Sequence, residues 1–354
     1  MPIFAHKNFI ASTLLSLPLL MPSSAGADEK PEVLIEDFVG TIIWSNGGQQ
    51  AEITNRKKAS SVDASNEGNG LIINGGVRSP DGDKCQGYGG SYNFSFFGNK
   101  EKKGVFGGYE DLEDYPTLTL SLPVDVSLKL RNSIVFSQGT PDIYSADLSL
   151  IHCGAINLGR LSGDMDVEGR GAADLTFTGS RNLSSQMSGS GDIKAESVKY
   201  LKAESNGSGD LAIGETENAD VRTSGSGDVE IKTISGSAII ETSGSGDYEI
   251  GSIAGSLDYR SSGSGDLELK RIGGEGTNRV GLKSAGSGDI YIGSGEITNL
   301  YVDVSGSADA EINAIVRDAV AKASGSADIY FDTVNGSLEK TTSGSSDIEV
   351  DHRN

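Results

Sequence analysis

The chain has 354 residues and a formal net charge of −21, with 29 Lys and Arg against 50 Asp and Glu. This acidity argues against nucleic acid as a partner, because phosphate binding requires a basic surface, and the 3 His offer little material for His-based catalysis or metal binding. With 49 Gly, 8 Pro and 36% hydrophobic residues, the composition excludes collagen and Pro-rich linkers and is sufficient for a core.

Residues 1–27 have the pattern of a secretory signal peptide. Lys7 supplies a positive charge, residues 9–21 are apolar, and residues 25–27 (Ala-Gly-Ala) fit a signal peptidase site. A membrane-spanning helix fits less well, because the apolar run is short and Pro18 interrupts it. We therefore expect export to the periplasm, the cell surface or the medium, with no transmembrane segment in the mature chain.

Residues 28–115 are predicted to form irregular N-terminal coils or a cap. Residues 33–44 and 71–74 have the composition of strands. The stretch 68–108 is rich in Gly, Asn and Asp, which indicates a long insertion. Residues 118–136 return to strand alternation and are expected to open a regular stack.

Two cysteines, Cys85 and Cys153, are present. An oxidising compartment permits a disulfide between them. Two separately buried thiols are the alternative, and the sequence leaves both open.

A repeat dominates the second half of the chain. The pentapeptide SGSGD occurs at residues 188–192, 224–228, 243–247 and 262–266. Related pentapeptides end at Asp174, Asp210, Asp289, Asp309, Asp328 and Asp347, so an Asp recurs about every 19 residues. An apolar–variable–apolar triplet follows each Asp, which is the alternation of a half-buried strand. A second strand often follows a weaker Gly-Ser turn.

This repeat predicts an all-β fold, a right-handed parallel β-helix (β-solenoid) with about 19 residues per coil over residues 116–354. An antiparallel sandwich would not require aligned aspartates at a fixed period, and right-handed crossovers are the rule for parallel strands. Two inward-facing ladders of apolar residues follow. The first ladder consists of Leu175, Ile193, Leu211, Val229, Tyr248, Leu267, Ile290, Ala310, Ile329 and Ile348. The second ladder consists of Phe177, Ala195, Ile213, Ile231, Ile250, Leu269, Ile292, Ile312, Phe331 and Val350.

The repeated turn has a structural interpretation. Glycine reaches positive φ and lets adjacent coils approach closely, while Asp caps the amides of its own corner and Ser stacks on Ser. The glycines assigned this role are Gly189, Gly191, Gly225, Gly227, Gly244, Gly246, Gly263 and Gly265.

A second interpretation of the turn is weak cation binding. In register, the aspartates stand about one coil apart, and a partial column of glutamates lies beside them. Ca²⁺ prefers oxygen ligands of this type. The period differs from that of nine-residue calcium-binding repeats, so we favour the structural interpretation and predict no cofactor, with weak, shared Ca²⁺ binding as the alternative. The candidates are Asp192, Asp210, Asp228, Asp247 and Asp266.

Catalysis is not expected. After the predicted signal peptide only His152 and His352 remain, and no triad, zinc or phosphate-loop spacing accompanies them. The acids follow the repeat, whereas a catalytic pair should be a local exception to it. A carbohydrate-active β-helix enzyme acting on an envelope or extracellular polysaccharide is the alternative.

A signal peptide followed by SGSGD–apolar–variable–apolar units resembles the GIN-domain family, labelled auto-transporter adhesin head domains. The resemblance covers residues 118–350. It implies a bacterial, exported, right-handed β-helix, and it carries no catalytic residues. We therefore predict a structural or adhesive interaction module at the cell envelope, with a surface polysaccharide or protein as its partner.

Overall fold

The computed structural model describes residues 30–78, 114–274 and 276–353. The predicted signal peptide and Cys85 lie outside these ranges. The described chain is all β, with 66% strand and no helix, so no described helix is available to cross a membrane. The described residues from 31 onward belong to one compact unit.

The described strands follow in chain order. They are β1 (Glu32–Glu36), β2 (Val39–Asn46), β3 (Glu52–Lys57), β4 (Asp63–Glu67), β5 (Gly70–Asn74), β6 (Thr117–Leu122), β7 (Ser127–Arg131), β8 (Ile134–Gln138), β9 (Ser145–Leu150), β10 (Gly154–Arg160), β11 (Asp164–Gly169), β12 (Ala173–Met187), β13 (Ile193–Ser205), β14 (Leu211–Thr223), β15 (Val229–Ile234), β16 (Ala238–Thr242), β17 (Tyr248–Ile253), β18 (Leu257–Ser261), β19 (Leu267–Ile272), β20 (Arg279–Ser284), β21 (Ile290–Ile292), β22 (Glu296–Gly306), β23 (Ala310–Gly325), β24 (Ile329–Val334), β25 (Leu338–Gly344) and β26 (Ile348–Arg353).

The strands from β12 onward form two stacks of parallel strands. The first stack follows the Asp corners and contains β15, β17, β19, β21, β24 and β26. The second stack contains β16, β18, β20, β22 and β25. The long strands β12, β13, β14 and β23 contribute their first part to the first stack and their second part to the second. The result is a β-solenoid of about 12 turns with a spacing of about 19 residues, which confirms the predicted architecture. The handedness of the winding stays a prediction.

Both predicted apolar ladders are confirmed in register. The first runs from Leu175, opposite Ile193, to Ile348, opposite Ile329. The second continues without a slip to Phe331 opposite Val350. Apart from the partly buried Val350, every member of both ladders is buried. Each buried Val, Leu, Ile or Phe of the ladders contributes about 1.5–3 kcal/mol through burial, so the ladders form the continuous core that a single repeat lacks.

The N-terminal end is not stacked in sequence order. β1 lies between β5 and β7, and β2 lies between β6 and β8. The expectation that residues 118–136 open the stack is therefore only half right, because β6 is added outside β2. β3 then pairs antiparallel with the outer edge of β6, and β4 pairs antiparallel with the outer edge of β5. In this arrangement β1 and β2 pair along both of their edges, and neither presents an open strand edge.

At the opposite end, the last described coil carries an inward lysine. Lys340 occupies the ladder position opposite Ala321, a fully buried core residue. Its Nζ donates a hydrogen bond of 2.7 Å to the carbonyl of Ile348. Lys340 is exposed there and places a charge on the outermost described coil, in register with a buried ladder.

Candidate interaction surfaces

The repeated aspartates form one continuous column of hydrogen bonds. We call the set Asp174, Asp192, Asp210, Asp228, Asp247, Asp266, Asp289, Asp309, Asp328 and Asp347 the Asp column. The Oδ1 of each member accepts the backbone N–H of the next member, at 2.7–3.1 Å. The expectation that each Asp caps its own corner is therefore wrong for all but Asp347, which accepts the N–H of Ile348. The column ties neighbouring coils together, because each carboxylate satisfies an amide that lies one coil away.

The corner glycines are explained by close approach between coils. A Cβ on Gly227 would lie 2.0 Å from the carbonyl oxygen of Gly209, and the other seven predicted glycines give distances of 1.6–2.1 Å to the preceding coil. None of the eight has the positive φ that we expected. Positive φ occurs instead at Gly306, Gly325 and Gly344, where Ala308, Ala327 and Ser346 replace the second glycine.

Burial changes the acidity of the first members of the Asp column. It raises the pKa of Asp174 to about 6 and the pKa of Asp192 to about 7, against the opposing effect of the hydrogen bond from the next amide. The pKa of Asp210 is raised for the same reason. A carboxyl group that remains protonated near neutral pH reduces like-charge repulsion between adjacent coils.

The geometry of the Asp column bears on the cation hypothesis. Each candidate, Asp192, Asp210, Asp228, Asp247 and Asp266, already uses Oδ1 to accept an amide. Within the described ranges, no three His, Cys, Asp or Glu side chains are grouped so as to hold a metal ion. Shared, weak Ca²⁺ binding along the column stays a prediction.

Beside the Asp column, the first stack presents an acidic face. We define the acidic face as the outward residues two positions after each Asp from Asp228 onward, which pair in register, namely Glu230, Glu249, Glu268, Tyr291, Glu311, Tyr330 and Glu349. Lys270 donates to Glu249 at 2.5 Å. Two tyrosines thus interrupt a row of glutamates. Their sequence signal is that they occupy the variable position of the apolar–variable–apolar triplet.

Tyr291 and Tyr330 line a groove on this face. The groove has a volume of about 730 Å³. Its polar and aromatic lining consists of Asp289, Tyr291, Asp309, Glu311, Asn313, Asp328 and Tyr330. Tyr291 is 38% exposed, and the Tyr330 hydroxyl donates to Asp351 at 2.5 Å, which raises the pKa of Tyr330 to about 12. Carboxylate and amide oxygens accept hydrogen bonds from hydroxyl donors, and the tyrosine rings provide apolar contact.

The second stack presents a face of mixed charge. Arg222 and Arg260 lie on either side of Glu241 and bind it at 3.1 and 2.7 Å. Each arginine also binds the Asp two residues before it, Asp220 or Asp258. These pairs are exposed and each contributes little to stability. They balance the charge of this face, in contrast to the acidic face.

The structure places the two remaining histidines apart from any triad-like arrangement. His152 Nε2 lies 3.4 Å from the amide oxygen of Asn132, and partial burial lowers the His152 pKa. His352 lies on β26 in register with Thr333. Cys153 is 2% exposed and packs with Val39 and Ile134. Its pairing with Cys85 stays a prediction, because Cys85 lies outside the described residues.

The geometry defines a class of protein, a parallel β-solenoid whose coils are joined by a corner column of Asp. The family model described as "Putative auto-transporter adhesin, head GIN domain" matches residues 161–272 and 271–352. These matches cover more than half of the chain, and the chain belongs to this family. No curated protein and no solved structure matches the chain.

Proposed function

We propose that this chain is exported and acts as a structural or adhesive interaction module at the cell envelope. Its partner is a surface polysaccharide or protein, which binds along the acidic face. The observation that carries the proposal is the groove of about 730 Å³, where Tyr291 and Tyr330 alternate with carboxylates. The family name, which refers to an adhesin head, supports a role at the surface.

The scaffold suits a repeating partner. Strands of neighbouring coils lie about 4.8 Å apart, so outward side chains recur at a fixed spacing along the solenoid. A polymer that contacts several coils gains avidity from contacts that are weak individually. The register-locked ladders keep the face rigid, which lowers the entropic cost of binding.

Binding to purified envelope polysaccharide and envelope protein fractions tests this proposal. We expect the double variant Tyr291→Ala/Tyr330→Ala to bind about tenfold or more weakly, since aromatic anchors dominate such contacts. Tyr200→Ala is the matched control, because Tyr200 is 41% exposed and lies outside the groove. Equal binding by the wild type and the double variant would contradict the role of the acidic face.

The same samples distinguish an adhesive module from a carbohydrate-active enzyme. We expect binding without product release, because the carboxylates of the acidic face belong to the repeat. Release of shortened saccharides that stops when one or two acids are changed would favour the enzyme instead.

A further inference from the structure

A second groove lies on the second stack, on the face of mixed charge. We call it the basic groove and define it by Arg260, Arg279, Gly281, Lys283, Tyr301 and Lys322. A cavity of about 540 Å³ contains the first five of these residues. A neighbouring cavity of about 360 Å³ shares Arg279 and Tyr301 with it. Tyr301 therefore separates two connected halves of one surface.

Tyr301 is held in place by cations and by one hydrogen bond. The Nζ atoms of Lys283 and Lys322 each lie 5.5 Å from the centre of its ring. Its hydroxyl donates to Asp303 at 2.8 Å. Cation–π contacts and this hydrogen bond orient the ring, so the groove has a fixed aromatic element with a cation on the coil before it and on the coil after it.

The charges in the basic groove are unbalanced. Arg260 is neutralised by Asp258 and Glu241. Asp318, in the smaller cavity, is bound by Arg317 and by Ser337, which lower its pKa to about 2.

By contrast, the exposed side chains of Arg279, Lys283 and Lys322 form no ion pair with any carboxylate in the described part of the chain. Asp303 is the remaining acid beside them, so the groove is locally positive in a chain of net charge −21.

The floor of the groove is apolar and open. Gly281 stands beside Tyr301 in register, and the atom nearest to a Cβ at this glycine would be Oδ1 of Asp258 at 3.6 Å, in a carboxylate that Arg260 binds. Ile239 lies in the same cavity and is 42% exposed. A flat apolar floor with cations at its rim matches a ring that has one apolar face and a charged substituent.

We propose that the basic groove binds an anionic polysaccharide, through carboxylate or sulfate groups. This inference goes beyond the proposed function, because it assigns a second binding face and the class of polymer that this face recognises. Arg279, which lines both cavities, contacts the anionic groups together with Lys283 and Lys322, whose Nζ atoms lie over the ring of Tyr301, while the sugar rings lie on Tyr301 and Ile239.

A polysaccharide fits this face better than an acidic peptide. Peptides commonly join a sheet by adding a strand to an open edge. The strand edges at the groove are already occupied. β20 pairs with β18 on one side and with β22 on the other, and β22 pairs with β20 and β23. Recognition here therefore depends on outward side chains, among which Lys283 and Lys322 stand on the coils before and after the one that carries Tyr301 and Asp303.

The test measures binding of the full chain to polygalacturonate, dextran sulfate, neutral dextran and polyglutamate. We expect the first two to bind with an affinity that falls as salt is added, and neutral dextran not to bind. In Lys283→Glu/Lys322→Glu, affinity for the polyanionic sugars should fall about tenfold or more. Arg170→Glu/Lys199→Glu is the matched control, with the same change in net charge at exposed cations elsewhere; its effect should be below about twofold.

Each outcome decides the proposal. Equal weakening by the two double variants would show a general effect of net charge and overturn it. Polyglutamate binding as tight as that of polygalacturonate would assign the groove to acidic polypeptides instead. Envelope fractions that bind through Tyr291 and Tyr330 while no polyanionic sugar binds would overturn this inference and leave the proposed function in place. No binding to any polymer or envelope fraction would overturn both.

Discussion

The carboxylate of Asp192 accepts the backbone N–H of Asp210 at 2.8 Å, across two neighbouring coils. In return, the N–H of Ile193 donates to the carbonyl of Asp210 at 2.9 Å. The side chain thus extends the ladder of main-chain hydrogen bonds by one position into the corner. Because every corner repeats this arrangement, the Asp column acts as a third connection between coils, beside the two strand stacks.

Removal of one carboxylate from this column should destabilise the fold. Asp192→Ala leaves the amide of Asp210 without its acceptor, and the free energy of unfolding should fall by about 1–3 kcal/mol. Asp192→Asn keeps an oxygen acceptor and should cost less. Urea titration followed by circular dichroism measures the unfolding free energy of both variants. A loss of stability in Asp192→Asn as large as that in Asp192→Ala would show that the hydrogen bond to the Asp210 amide is not the stabilising contact.

Stability should also fall as pH rises through the range in which Asp192 titrates. Its pKa is about 7 in the folded protein and 3.8 in the reference state. The native state therefore retains a proton that the unfolded state loses, so this stabilisation is complete below about pH 4 and disappears as pH rises to about 7.

Asp192→Asn cannot titrate and serves as the reference for this effect. The difference in unfolding free energy between the wild type and Asp192→Asn, measured by urea titration between pH 4 and pH 8, isolates the contribution of one carboxyl. A difference that stays constant over this range would refute the assignment. Asp174, with a pKa of about 6, should behave similarly at slightly lower pH.

The close approach at the corners predicts a strong contrast between two glycines. In Gly227→Ala the new Cβ would lie 2.0 Å from the Gly209 carbonyl oxygen, so coils must separate, at a cost of about 1–3 kcal/mol or more. In Gly281→Ala the nearest atom would be 3.6 Å away, so a change within about 1 kcal/mol is expected. Thermal unfolding of both variants measures the contrast, and similar melting temperatures would contradict the role of coil spacing.

The hypothesis of shared cation binding predicts a dependence of stability on Ca²⁺. Carboxylates at about one coil spacing, near 4.8 Å, repel one another, and a bridging cation relieves that repulsion. Millimolar Ca²⁺ should raise the melting temperature of the wild type, and a chelator should reverse the rise. Asp228→Asn/Asp247→Asn should respond less. A wild-type melting temperature that does not change with Ca²⁺ would contradict the hypothesis.

The repeat made the register of the solenoid predictable, because each Asp marks the same point of a coil. Leu175 and Ile348 were therefore placed on one ladder from the sequence alone, and the structure agrees. The order of the N-terminal strands was not predictable in this way. β1, β2, β5 and β6 carry no corner motif, so nothing in their sequence shows that β6 lies outside β2.

The candidate surfaces were predictable only in part. The outward position of the glutamates of the acidic face was predictable from the alternation of each strand. The hydrogen-bond partner of each Asp carboxylate was not, because a carboxylate can reach an amide of its own corner or an amide of the next coil. The basic groove was missed because Arg279, Lys283, Tyr301 and Lys322 lie in different repeats and come together only through stacking. Their one sequence signal is that Lys283, Tyr301 and Lys322 occupy outward positions of second-stack strands.

The position of β1 and β2 inside the stack has a consequence for shortening the protein. Removal of residues from the C-terminal side takes away whole coils one after another, beginning with β26 and β25. Removal of residues 32–46 from the N-terminal side instead takes out a coil that has neighbours on both sides, and separates β5 and β6, with their covering strands, from everything that follows. The two directions of truncation are therefore not equivalent, and a shortened version of this solenoid that keeps β5 and β6 must also keep β1 and β2.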